Sequence, residues 1–203
     1  MTRTLKRTAI IVGLTLATGQ ACAQAPAVPV RDPLWAEPIT LEGVRNLYRI
    51  SPMLYRSEQP TALGFKNLEK LGIRTVINLR WFNNDDKEAA GTLLRTERVK
   101  IVTWDIDDKH VVAVMRMLKD TANGPFLIHC QHGADRTGVM SAMYRVLEQG
   151  WTPEDALAEL QGGGYGYHSM WKNILKYVRT ADVEKLRAAI AMTAEASGPA
   201  DSR

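Results

Sequence analysis

His129-Cys130-Gln131-His132-Gly133-Ala134-Asp135-Arg136-Thr137-Gly138 is the stretch from which the rest of the chain can be read. The apolar run Phe126-Leu127-Ile128 leads into it as a strand. The run from Val139 to Gln149 leaves it as a helix, with Val139, Met143, Val146 and Leu147 on one face. Cys130 therefore stands on the turn between a strand end and a helix start, and five residues separate it from Arg136. A hydroxyl and a glycine, Thr137 and Gly138, follow. Strand, thiol, glycine-bearing loop, arginine and helix are the parts of an oxyanion cradle with a thiol at its floor.

Outward from this loop, strands and helices alternate. Arg45 to Arg56 has the pattern of one or two short strands. Thr61 opens a helix with Ala62, Phe65, Leu68 and Leu71 on one stripe, stopped by Gly72. Ile73 to Leu79 is almost uniformly apolar, as suits a strand buried on both faces of a parallel sheet. A polar segment, Asn83 to Lys87, then leads into a second helical run to about Glu97, and Val99 to Thr103 reads as another strand. The acidic loop Trp104-Asp105-Ile106-Asp107-Asp108 precedes a helix that buries Val111, Val114, Met115 and Leu118, broken by Asn123-Gly124-Pro125. Thr152-Pro153-Glu154-Asp155 is a strong helix start, and Gly162-Gly163-Gly164 a stop. A last helical stretch runs from Met170 to Ala196, with a break near Thr180 and a frayed tail over 197–203.

This alternation predicts an α/β fold: a small, mainly parallel central sheet flanked by helices, in one domain over 41–196. Sites in such sheets gather outside the carboxyl ends of the strands. Arg80, the acids of 104–108 and the Cys130 loop all fall at that edge.

The 203 residues are 45% apolar and 24% charged, ordinary for a globular chain, and the formal charge of +4 is unevenly placed. Arg3, Lys6 and Arg7 precede the apolar run Ala9 to Ala17, and Ala21-Cys22-Ala23 is a small-residue site. These are the parts of a secretory signal over 1–23, cleaved after Ala23, with an apolar core well short of the ~20 residues that span a bilayer. Its removal lowers the formal charge from +4 to +1, so neither a nucleic-acid footprint nor a stable membrane span is expected. A lipoprotein acylated at Cys22 is the rival reading; Gly19, where a large aliphatic residue belongs, argues for cleavage. Residues 24–40, with Pro26, Pro29, Pro33 and Pro38, read as a linker or surface arm, and the chain is expected to be periplasmic or secreted. Cys130 is then the sole thiol of the mature protein. It has no resolving partner, which disfavours dithiol chemistry.

A helix start and Arg136 together stabilise a thiolate at Cys130. The backbone N–H groups of Gln131, His132, Gly133, Ala134, Asp135 and Arg136 form a nest for a tetrahedral dianion, and Arg136 can grip two of its oxygens. Thr137 could donate to the sulfur, and His129 could bond loop backbone and hold the cysteine. The implied reaction is attack on phosphorus, a cysteinyl-phosphate intermediate and hydrolysis, with no metal and no cofactor. It needs a general acid. Asp105, Asp107 and Asp108 are the candidates; Asp107 or Asp108 can cap the next helix, Asp108 being the better cap, which favours Asp105 as the acid.

The loop HCQHGADRTG carries His-Cys-x5-Arg-Thr and resembles the protein tyrosine phosphatase superfamily, in the form of bacterial, often periplasmic, dual-specificity-type phosphatases. The similarity runs from Leu54-Tyr55-Arg56-Ser57 through Gly72 to Arg80, and past the loop to Tyr144-Arg145, Gly150-Trp151 and Gly162 to Gly166. It implies a cysteine-based phosphatase fold, Cys130 as nucleophile, Arg136 as phosphate ligand and a loop aspartate as acid. This acid loop departs from the pattern, being short with three aspartates, so the acid stays open among them. Family members acting on inositol polyphosphates or phosphoinositides usually carry lysines in the loop. Here Asp135 at the rim would repel a highly charged ligand, so phosphotyrosine (with phosphoserine or phosphothreonine) or a small phosphomonoester is the expected partner. The same loop resembles RNA triphosphatases, which an exported chain near +1 disfavours. A phosphate-binding protein without turnover and a sulfur-transfer enzyme are the rival classes. Tyr165 and Tyr167 could wall the pocket but read better as packing aromatics. Arg56 and Arg80 read as ion-pairing residues, Arg80 also as a rim residue.

Overall fold

The computed structural model describes residues 31–192. The expected signal over 1–23, Cys22, the arm over 24–30 and the tail beyond 192 lie outside the described residues. Six strands form one sheet: β1 (Glu37–Pro38), β2 (Tyr48–Ser51), β3 (Leu54–Ser57), β4 (Thr75–Asn78), β5 (Arg95–Arg98) and β6 (Phe126–His129), in the order β1-β2-β3-β6-β4-β5. Strands β3, β6, β4 and β5 are mutually parallel, and β1 and β2 extend the sheet antiparallel from β3. Six helices, α1 (Ala62–Leu71), α2 (Asp108–Lys119), α3 (Asp135–Glu148), α4 (Pro153–Gly162), α5 (Lys172–Thr180) and α6 (Val183–Ala191), cover it. The expected α/β architecture with a mainly parallel sheet is the one observed.

Alternation along the two central strands divides the core. Val76 and Leu127 face one side, where they pack with Phe65 and Leu68 of α1. Ile77 and Ile128 face the other, with Val111 and Val114 of α2, Met143 of α3, Leu157 of α4 and Ile174 of α5. Both strands are buried on both faces, which is why their middles are apolar, while the polar Thr75, Asn78 and His129 sit at their ends. Truncating Leu127 to alanine would cost about 2–5 kcal/mol. Helix ends follow local chemistry. The Thr61 hydroxyl accepts from Gly64 N at 3.1 Å, Gly72 closes α1 at φ 95°, and the Thr152 hydroxyl accepts from Asp155 N at 3.1 Å.

The register brings the site together. Ser57 and Asn78 both pair with His129, so β3, β6 and β4 end level, and the Cys130 loop leaves from the middle of that edge.

Two stretches differ from expectation. No helix forms between Asn83 and Glu97. Asp85 is drawn into the interior, Gly91 turns the chain at φ 79°, and too few residues remain between them for a stable helix. The strand expected at Val99 to Thr103 lies earlier, at Arg95–Arg98. It is the sheet edge, so one row of its backbone groups meets solvent, and charged side chains there discourage pairing with other chains. Residues 31–40 also pack more firmly than a linker would. β1 joins the sheet, and Arg31 donates to the Ala36 and Gly163 carbonyls and to the Tyr165 hydroxyl.

Candidate active site

Cys130 sits one residue past β6, only 2% exposed, beneath the turn formed by 131–134. Gly133 is needed there for two reasons. Its φ is 68°, and a Cβ would lie 2.6 Å from the backbone of Ser57 and Glu58. The Gly133 carbonyl accepts from Arg56 at 2.5 Å. Arg56 is buried, with its guanidinium 3.6 Å from the centre of the Tyr165 ring, so it braces the turn with no carboxylate salt-bridged to it among the described residues. On the far side, Asn46, at φ 54°, donates to the carbonyls of His132 and Tyr165, both at 2.9 Å.

Helix α3 begins at Asp135, so Arg136 and Thr137 lie in its first turn, where backbone N–H groups and the helix dipole favour an anion. The Arg136 guanidinium makes no hydrogen bond to protein among the described residues. With Gln131 it lines a cleft of about 310 Å³ whose walls are Arg80, Trp81, Phe82, Asn83 and the segment Ile101 to Trp104. Phe82 and Trp104 are 85% and 70% exposed at its mouth.

The other site residues are placed as follows. His129 is fully buried, with Nδ1 3.2 Å from the Cys130 carbonyl oxygen and Nε2 2.9 Å from Asp85 Oδ2. Asp85 also accepts from Arg80 at 2.9 Å and Gln59 at 3.2 Å. Burial alone would raise the Asp85 carboxyl; the hydrogen bond and charge of His129, then Gln59 and Arg80, outweigh it and hold the group below the usual carboxylate range. Arg80 therefore reaches the cleft wall with its guanidinium already committed to Asp85 and Asn78.

The Thr137 hydroxyl is buried and unpartnered among the described residues. Two expectations need correction. Asp135 does not present charge to the rim. Its two oxygens accept from the backbone N of His168 at 3.0 Å and bond the His168 ring at 2.8 Å, so only its backbone belongs to the nest. The cap of α2 is Asp107, in a reciprocal bond pair with His110, while Asp108 accepts from Tyr177 at 3.0 Å and pairs with Lys185 at 2.8 Å. Asp105 is exposed and makes no side-chain hydrogen bond among the described residues. Tyr165 is a packing residue: it is buried edge-on against Tyr48 and donates to Glu159 at 2.9 Å. Tyr167 is half-buried and donates to the Trp171 carbonyl at 2.7 Å.

Asp85 and His168 are the residues that sequence reasoning missed. Asp85 lies in a polar run, Asn83 to Lys87, indistinguishable locally from a solvated connector, and no spacing ties it to His129.

Comparison with known proteins agrees with this geometry. The family described as DSP-PTPase phosphatase fused to NAD+ Kinase matches residues 44–174. The dual specificity protein phosphatase TpbA of Pseudomonas aeruginosa is 38% identical over 185 residues, covering 90% of this chain and 83% of TpbA. A crystal structure of a TpbA cysteine-to-serine variant in complex with pTyr superposes with a TM-score of 0.72 at 37% identity, over 80% of this chain and 99% of that one. Inositol diphosphatase DSP5 of Arabidopsis thaliana is 28% identical over 57% of this chain and 60% of its own length. The chain belongs to the protein tyrosine phosphatase superfamily, as a phosphatase of the dual-specificity type.

Proposed function

We propose that this chain is an exported, metal-independent phosphatase that hydrolyses protein phosphotyrosine, and with it phosphoserine or phosphothreonine esters, through a cysteinyl-phosphate intermediate. The observation that carries the reading is the open Arg136 guanidinium over a loop rooted on buried Cys130, at the start of α3. In this scheme the Cys130 thiolate attacks phosphorus, and Arg136 with the backbone N–H groups of 131–136 holds the three equatorial oxygens. The bond to the leaving oxygen breaks as Asp105 delivers its proton. Asp105 then takes a proton from water, the hydroxide attacks phosphorus, and the S–P bond returns its electrons to the thiolate. Asp105 suits the acid role because Asp107 and Asp108 are held by structural partners. Thr137 supplies a hydroxyl for the departing sulfur, with no competing partner among the described residues. The aromatic mouth formed by Phe82 and Trp104, and the pTyr bound by the TpbA variant, support an aryl phosphate. Export is supported by Arg3, Lys6 and Arg7, the apolar run and Ala21-Cys22-Ala23.

Turnover of p-nitrophenyl phosphate in EDTA, with vanadate inhibition and loss in Cys130→Ser, is the direct test; persistent turnover in that variant sinks the mechanism. Cell fractionation tests export. A second reading, an inositol phosphate phosphatase, gains from Asp135: its carboxylate is turned onto His168 and no longer opposes a highly charged ligand. The absence of lysine from the loop opposes it. Comparing kcat/KM on a phosphotyrosine peptide and an inositol polyphosphate separates the two.

A further inference from the structure

Behind the nucleophile lies a cluster of ionisable groups that the scheme above does not use. His129 and Asp85 meet at 2.9 Å with side-chain exposures of 0% and 1%. The Asp85 oxygen turned from His129 accepts from Arg80 and Gln59. Both carboxylate oxygens are thus acceptors, which makes Asp85 the anion and places a proton on His129 Nε2. The other ring nitrogen, Nδ1, faces the Cys130 carbonyl oxygen at 3.2 Å. A carbonyl can only accept, so this contact is a hydrogen bond only if Nδ1 also carries a proton. With a single proton, the ring would set lone pair against lone pair at one of two contacts that have no access to water.

Both ring nitrogens thus meet acceptors, a carboxylate on one side and the peptide of the nucleophile on the other. The charged groups behind the ring are Asp85 and, bonded to it, Arg80, and Gln59 adds an uncharged amide. Cys130 itself lies within electrostatic reach of Arg56 and below the helix start that carries Arg136. A ring protonated at both nitrogens, together with Arg80, would outnumber Asp85 by one positive charge. Arg56 adds another within electrostatic reach of Cys130, and Glu159, which also acts on Arg56, is committed to Arg145. The group able to balance this buried excess is Cys130 as its thiolate.

We infer that Asp85 is a positioning residue for the cysteine chemistry, acting through the His129 ring to fix its orientation and second proton and so hold Cys130 ready as the anion. The inference rests on Cys130 being the nucleophile. Asp85 also lies on the segment whose Arg80, Trp81, Phe82 and Asn83 line the cleft, so one carboxylate ties the wall to the floor.

In wild type, nitrogen-15 NMR of the His129 ring at pH 7 should show both nitrogens protonated; a singly protonated ring overturns the inference. Iodoacetamide labelling of the Cys130 peptide, followed by mass spectrometry across pH, should give a midpoint about one pH unit higher in Asp85→Asn. The kcat on p-nitrophenyl phosphate should fall about 10- to 100-fold with KM within about threefold, and Asp85→Glu should recover part of the loss. An unmoved midpoint, or a variant whose only defects are raised KM and a lower melting temperature, reduces Asp85 to a wall anchor and overturns the inference. Should Asp85→Asn not fold, the wild-type ring spectrum decides alone. Turnover in Cys130→Ser would instead remove the nucleophile reading, a separate failure.

Discussion

The floor and the wall of the site are built in opposite ways. At the floor, Cys130, His129, Asp85, Arg56 and Gly133 are buried and bonded in pairs across the ends of β3 and β6. At the wall, Asp105 and Trp104 are exposed; the segment is pinned at its margins, by Asn173 donating to the Thr103 carbonyl at 2.8 Å and by the Asp107 cap. The difference fits the roles proposed for the two parts. Groups that bind a dianion gain most when they are already oriented and dry, because no reorganisation is then needed at reaction. A proton donor must reach the leaving oxygen and return to water between turnovers, which suits an unpaired carboxylate on a loop.

The comparison can be broken by substitutions on either side. Arg136→Lys should lose about 10³-fold in kcat/KM, since a point charge replaces the planar fork; steady-state kinetics reads this, and a loss under tenfold would deny Arg136 its bidentate role. Asp105→Asn should lower kcat about 10²-fold on alkyl phosphates and flatten the basic limb of the pH–rate profile, with the melting temperature unchanged. A flattened limb in Asp107→Asn or Asp108→Asn instead would move the acid. Gly133→Ala should cost about 1–3 kcal/mol in urea unfolding and most of the activity, because the turn must back away from Ser57. Asp107→Ala, a wall residue with a purely structural partner set, should cost about 1 kcal/mol and leave the basic limb in place.

A pH test sharpens the same contrast. The buried Glu159 carboxylate accepts from Arg145 at 2.7 and 2.8 Å and from Ala36 N at 2.6 Å. Burial opposes its ionisation, but Arg145, Ala36 and Tyr165 outweigh burial and lower its pKa, as happens at Asp85. A group depressed in the folded state stabilises above its unfolded value, about 4.3 for glutamate, and loses that contribution as pH falls through the folded value. Urea unfolding should therefore show stability falling below about pH 4.5, with a shallower fall in Glu159→Gln.

Much of this arrangement was legible in the chain. Phe126 to Glu148 reads as strand, turn and helix because its apolar period changes from a two-sided run to a helical face on either side of Gly133. Thr61, Gly72 and Thr152 mark helix ends by chemistry that acts within one turn. Arg95 to Arg98 was not legible as a strand: an edge strand buries little, so its side chains carry a solvent pattern. Asp85 was hidden for the opposite reason, since a carboxylate destined for the interior looks the same in sequence as one bound for water.

By itself, then, the sequence determined the nature of the cradle: a thiol at a strand end, a glycine where no side chain fits, an arginine in the first turn of a helix. These depend on contacts a few residues apart. Only the tertiary structure decided which acid stays unpaired, where Asp135 turns and what stands behind His129. Apart from the local Asp107–His110 pair, those rest on partners 33 to 77 residues away, as in Asp135 with His168, His129 with Asp85 and Asp108 with Lys185, brought together by the level ends of parallel strands and the helices packed beside them.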